Sequence, residues 1–271
     1  MRLSCLAANA IMKPSISQQT KGVFFDLYGT LLIYGDMKSA WSVWFKTLYS
    51  CFCSSNFSLS EREFAQQCDG FFSREEPPET ESALTVFERR IKCLAHQCAV
   101  TFRRSELKEI ADLAVEAWQQ YVALDPASHK TLATLCKGRT LGLISNFEHP
   151  RHVHRVLTEH RLSSFFETIV VSGAVGIKKP DPRIFELALE QTGLSSSEVV
   201  YIGDTADDIA GAQAAGILPI LLRRPYQGTD PETLDFRSGD SDATSTETKD
   251  PWDGVLTLDY LEGLIGMLRT E

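Results

Sequence analysis

The first strong hydrophobic signal along the chain is the run Val23-Phe24-Phe25, broken by Asp26 and resumed in Leu27-Tyr28-Gly29-Thr30-Leu31-Leu32. Three large apolar residues in succession, without alternation, predict a strand buried on both faces, as in a parallel sheet. From about Asp36 to Leu124 the period becomes helical. Ala40, Trp41, Val43, Trp44, Phe45 and Leu48 share one face, and Leu84, Val86, Phe87, Ile91, Leu94 and Ala95 share another. Ser60-Glu61-Arg62-Glu63 and Ser105-Glu106-Leu107-Lys108 read as helix N-termini, and Glu75-Glu76-Pro77-Pro78-Glu79 as a loop. The block predicts an all-helical insertion of about four helices. From His129 onward, short apolar runs (Thr140–Ile144, Thr168–Val171, Val199–Ile202, Leu218–Leu222) alternate with helical segments, which predicts βαβ units and a parallel sheet. Val255–Leu258 and Tyr260–Leu268 read as a last strand and helix.

Composition narrows the function more than the fold. A formal net charge of −9 and a pI near 5.2 argue against nucleic acid or an anionic membrane as the main partner, since both call for a basic face. The weakly apolar stretch Leu3–Met12 is too short to span a bilayer, so residues 1–20 are expected to form a flexible tail or to precede a start at Met12. Residues 227–254, crowded with Gly, Asp, Ser, Thr and Pro, read as a loop or partly disordered segment. The seven cysteines are odd in number and irregularly spaced, which suits reduced thiols in a cytoplasmic protein.

Chemistry concentrates where predicted strands end. Asp26 and Thr30 follow the first strand, with Gly29 allowing a tight turn. Ser145 and Asn146 follow Leu143-Ile144, Lys178-Lys179-Pro180-Asp181-Pro182 follows the third run, and Gly203-Asp204-Thr205-Ala206-Asp207-Asp208 the fourth. In open α/β sheets, ligands bind at the carboxyl ends of strands. A carboxylate, small donors, a lysine and further acids together suit phosphoryl transfer to an aspartate assisted by Mg²⁺.

The order, residue types and strand context of these segments resemble the haloacid dehalogenase-like hydrolase superfamily, from Gly22 to the end of the chain. The resemblance implies a doubly wound α/β core, residues 21–34 and 126–271, with a helical cap domain at residues 35–125. It implies that Asp26 is the nucleophile and that Thr30, Ser145 and Lys179, the lysine directly before Pro180, hold the transferring group. Asp204 and Asp208, with Asp26 and the backbone carbonyl of Tyr28, would anchor Mg²⁺; Tyr28, Gly29 and Asn146 join Ser145 and Lys179 around the substrate. Asp207 and Thr205 read as solvent-facing or helix-capping, and Lys178 as a solvated neighbour.

Tyr28 departs from the phosphatase pattern, which carries there an Asp acting as general acid and base. The form Asp-Leu-Tyr-Gly-Thr also resembles metal-independent haloacid dehalogenases. Those, however, have Ser and Asn where this chain has Asp204 and Thr205, and Tyr where it has Phe185. An added carboxylate at Asp204 suits a cation and opposes a carboxylate substrate. The expectation is therefore a Mg²⁺-dependent phosphatase of a small phosphorylated metabolite, a monomer or homodimer; a dehalogenase or a catalytically degenerate binding module stand as alternatives.

Overall fold

The computed structural model describes residues 19–55, 57–78, 84–224 and 254–269. Strand β1 (Gly22–Phe25) is fully buried and lies between β4 (Thr140–Ser145) and β6 (Val199–Gly203), parallel to both. β5 (Thr168–Val171) flanks β4, while β7 (Leu218–Leu222) and β8 (Leu256–Leu258) extend the other edge, giving a six-stranded parallel sheet ordered β5-β4-β1-β6-β7-β8. Val23 and Phe25 pack on one face with Leu143, Ile202, Val153 and Leu132; Phe24 packs on the other with Tyr201, Ile184, Phe185 and Ala212. Both faces are covered by helices, which is why the apolar run does not alternate. In this register Phe25 sits level with Leu143 and Ile202, so Asp26, Ser145 and the turn after Gly203 emerge at the same end.

The chain leaves this core through β2 (Leu32–Tyr34) and returns through the antiparallel β3 (Val122–Leu124). Among the described residues between them, four helices (Met37–Cys53, Glu61–Cys68, Val86–Gln97 and Arg104–Gln119) bury an aromatic-rich core of their own around Trp44, Phe52, Phe64 and Phe87. β3 corrects the all-helical reading of this block: three residues form too short a strand to stand out against the helix formers before them. Ser60 caps its helix as expected, accepting from Glu63 N. Ser105 does not: that helix starts at Arg104, with the Glu106 carboxylate accepting from Arg103 N at 2.6 Å. Arg90 ties the helical block to the loop after β4, reaching Glu148 at 2.7 Å. The expected loop at 227–254 falls, but for Gly254, outside the described residues, as does the tail before residue 19. The six described cysteines form no disulfides, and among the described residues no helix is long and apolar enough to cross a membrane.

Candidate active site

Lys179 is the hub of the sheet's carboxyl end. Only 3% exposed, its ammonium donates to Asp26 Oδ1 and Asp208 Oδ1, both at 2.6 Å, and lies 3.1 Å from the Tyr201 hydroxyl and 3.3 Å from the Ile144 carbonyl. Burial pulls its pKa down, but Asp208 and Asp26 outweigh burial and hold the ammonium charged. Asp26, just past β1, is pushed up to about 7 by burial, a rise that Lys179 opposes and Asp208 reinforces. Asp208 goes the other way: burial would raise it, yet Lys179, Thr205 and Tyr201 hold it below the ordinary carboxylate range. Asp204 lies well above that range, through burial and then the charges of Asp26 and Asp208.

Carboxylate oxygens of Asp26, Asp204 and Asp208 all lie within 4.8 Å of one another. One lysine cannot neutralise three acids, so full ionisation leaves two negative charges in a largely buried site. The donor set fits a divalent cation with hard oxygen ligands. Both oxygens of Asp208 are already taken: Oδ1 by Lys179 and Tyr201, Oδ2 by the N–H groups of Asp204 and Thr205 and by the Thr205 hydroxyl at 2.7 Å. Asp204 is engaged only by a long contact from the Thr30 hydroxyl, at 3.4 Å, among the hydrogen bonds of the described residues.

The local backbone makes this crowding possible. Gly29 has φ +92°, and a Cβ there would lie 2.0 Å from Asp204 Oδ2, so both conformation and approach require glycine. A Cβ at Gly203 would lie 2.3 Å from Asp208 Cγ. Thr205 caps the helix Ala206–Ala214, placing Asp208 in its first turn, where the free N–H groups favour an anion. Arg224, just after β7, braces the loop after β1 by donating to the carbonyls of Gly29 (3.2 Å) and Thr30 (2.6 Å), and is itself paired with Asp125.

A 330 Å³ cavity opens on these groups, lined by Asp26, Tyr28, Tyr34, Ser145, Asn146, Lys179 and Asp208 together with residues 205–207. Ser145 is 1% exposed at the end of β4. Thr30 is wholly buried beside Asp204. The Asn146 side chain grips the Lys179 backbone through two hydrogen bonds, at 2.9 and 3.0 Å, so it positions the lysine. Lys178 points away to Glu76, at 3.3 Å, and Asp207 is exposed at the rim. Sequence reasoning missed Tyr201, which reads as one more apolar residue of β6, and Arg224, whose partners lie 194 and 195 residues away. Replacing Tyr201 with Phe keeps the ring against Phe185, at 4.9 Å between centroids, and removes only the hydroxyl between Lys179 and Asp208. We expect a loss of about 1–3 kcal/mol by urea denaturation and a kcat lowered roughly tenfold; unchanged stability would remove Tyr201 from the network.

Tyr28 turns its hydroxyl out of the cavity to Gln119 Oε1, at 3.0 Å, and its ring stacks on Phe147, at 5.0 Å. Burial, then the charge of Asp26, raises its pKa further, so it donates no proton near neutrality. Gln119 Oε1 also accepts from His152 Nε2, at 3.0 Å, while His152 Nδ1 receives Arg155 at 3.0 Å. Burial and then Arg155 push His152 down to about 3, so it is neutral in the fold. Since the unfolded chain binds the proton more readily, His152 withdraws stability as pH falls from about 6.5 toward 3. We expect the urea midpoint of His152→Gln, relative to that of the wild type, to rise between pH 7 and pH 5; equal slopes for the two proteins would show that His152 contributes nothing to the pH dependence.

The haloacid dehalogenase-like hydrolase family model matches residues 20–216, so the chain belongs to that family of hydrolases. It is 31% identical over 135 residues to phosphoserine phosphatase of Thermus thermophilus, covering 49% of this chain and 54% of that enzyme. It is 41% identical over 73 residues to glyceraldehyde 3-phosphate phosphatase of Methanopyrus kandleri, covering 26% and 31% of the two chains. These matches thus span from about a third to about half of the relatives' lengths. Solved structures share the fold, among them 2-haloacid dehalogenase from Pseudomonas syringae pv. Tomato DC3000 (TM-score 0.59, 24% identity, 92% and 98% coverage) and a HAD phosphatase from Thermococcus onnurineus (TM-score 0.59, 19% identity, 93% and 99% coverage).

Proposed function

We propose that the chain is a Mg²⁺-dependent phosphatase of small phosphorylated molecules, with residues 35–125 acting as a cap over the core. The observation that carries this is the convergence of the Asp26, Asp204 and Asp208 carboxylates within 4.8 Å of one another around a single lysine, with the Asp204 oxygens largely uncommitted among the described residues. Asp26, Asp204 and the carbonyl of Tyr28 would hold the ion, and Asp208 would add charge while holding Lys179. Mg²⁺ supplies charge neutralisation at the phosphoryl oxygens.

Lys179 fixes Asp26 through Oδ1, and we assign Oδ2 to the attack. Asp26 bonds to phosphorus and the ester oxygen leaves with its electron pair; water then cleaves the aspartyl phosphate, releasing inorganic phosphate and restoring the carboxylate. Ser145, Lys179 and the N–H groups after Asp26 would hold the phosphoryl oxygens, with Thr30 steadying Asp204. The names of the relatives, phosphatases of phosphoserine and of glyceraldehyde 3-phosphate, support the substrate class. Because Tyr28 offers no proton, good leaving groups are favoured.

The experiment is p-nitrophenyl phosphate hydrolysis with Mg²⁺ and with excess chelator. Turnover confined to the Mg²⁺ arm is expected. Equal rates in both arms would refute the metal, and metal-free release of halide from chloroacetate would replace this reading with the dehalogenase one.

A further inference from the structure

Beside the catalytic cavity lies a second, aromatic one. It has a volume of 260 Å³, near the lower end of small-molecule pockets at about 300–1,000 Å³. We propose that this cavity, walled by Trp41, Trp44, Phe72, Phe87, Val115 and Trp118, receives the leaving group of the phosphate ester as a flat, uncharged aromatic group. The proposal rests on the phosphatase reading above.

Continuity comes first. Asn146 lines both cavities, and the consecutive Lys178 and Lys179 line one each. Phe147, in the wall of the aromatic cavity, stacks on Tyr28, in the wall of the catalytic one, with ring planes 19° apart. An ester whose phosphate meets Asp26 can therefore extend its other end past Asn146 into the aromatic cavity.

Charge comes second, because each charged group of the described lining already has a partner. Glu148 is held by Arg90 at 2.7 Å, and Glu76 and Lys178 meet at the rim at 3.3 Å. His149 contacts Asp112 at 2.9 Å and Thr85 at 3.1 Å, and burial keeps its pKa below the ordinary value. No cation of the described lining remains to receive a carboxylate, and burying one unpaired is costly. Aromatic rings instead gain area and offset or edge contacts from such walls. The indole N–H of Trp118 is buried with no acceptor among the described residues, which favours a ring bearing an oxygen.

The test compares 2-naphthyl phosphate, phosphoglycolate and acetyl phosphate, the last small enough to need the catalytic cavity alone. We expect KM for 2-naphthyl phosphate at least about tenfold below that for phosphoglycolate. Val115→Phe, which fills the cavity, should lower the ratio of kcat/KM for 2-naphthyl over acetyl phosphate about tenfold. Calorimetric titration of the wild type with 2-naphthol, which carries no phosphate, should show binding whether or not the variant folds. If acetyl phosphate is hydrolysed but 2-naphthyl phosphate is no better than phosphoglycolate, or if 2-naphthol does not bind, the aromatic subsite is overturned. If none of the three phosphates is hydrolysed, the phosphatase reading fails, and 2-naphthol binding alone decides whether the cavity takes aromatic groups.

Discussion

Asp26→Asn is expected to lower turnover of any phosphate ester by at least about 10³-fold, the loss of ~4 kcal/mol of transition-state stabilisation. The amide preserves volume but cannot attack phosphorus. The same change should leave the fold intact and, in metal-free protein, stabilise it in a pH-dependent way. Burial raises the folded pKa of Asp26 to about 7. Its favourable contribution is complete below the unfolded carboxylate value and is lost as pH rises through about 7. At pH 8 the wild type therefore carries a buried carboxylate that the variant lacks, and Asp26→Asn should melt higher; toward pH 5, where Asp26 is protonated in the fold, the gap should close. A melting temperature lowered at both pH values would mean that the pair with Lys179 stabilises more than burial costs.

Lys179→Ala is expected to damage stability and activity together. The ammonium is the common partner of Asp26, Asp208 and Tyr201, and its removal leaves two acids side by side with no cation. Breaking a buried pair from one side costs about 3–5 kcal/mol. Turnover should fall nearly as far as in Asp26→Asn. Lys178→Ala removes only a rim contact with Glu76 between side chains 65% and 37% exposed, so its stability should stay within about 0–1 kcal/mol of the wild type. The reverse ranking of the two lysines in urea denaturation would contradict the assigned hub.

What was legible in the sequence lay where chain order and space coincide. Asp26 and Asp204 each stand just after a strand and Asp208 one turn into the following helix, and the parallel register brings those ends level; Lys179 comes back to them from the loop beyond the short helix Ser172–Val175 that follows β5. Gly29 was legible as a turn, but its second reason, the approach of Asp204, exists only once β1 and β6 are neighbours. Tyr201 was hidden because a strand buried on both faces accepts a tyrosine as readily as a leucine, and its hydroxyl matters only through Lys179 and Asp208. Asn146 was read by its position at a strand end, yet its amide is spent on the Lys179 backbone. The helix start at Arg104 was misplaced because Ser105 offered a stronger local capping signal than Arg103, whose partner is the Glu106 carboxylate. Trp44 and Phe87 lie on the apolar helix faces that the periodicity marks, and both are buried. Whether they also face a cavity depends on how the helices meet the loop after β4.

Phosphoryl transfer to Asp26 is tested most directly by acid-quenched single turnover. Protein mixed with acetyl phosphate and Mg²⁺, quenched within the first turnover and digested, should yield the peptide containing Asp26 heavier by one phosphoryl group. The modification should be absent in Asp26→Asn and in excess chelator. A phosphoryl group on another residue, or the same label formed in the chelator arm, would contradict it.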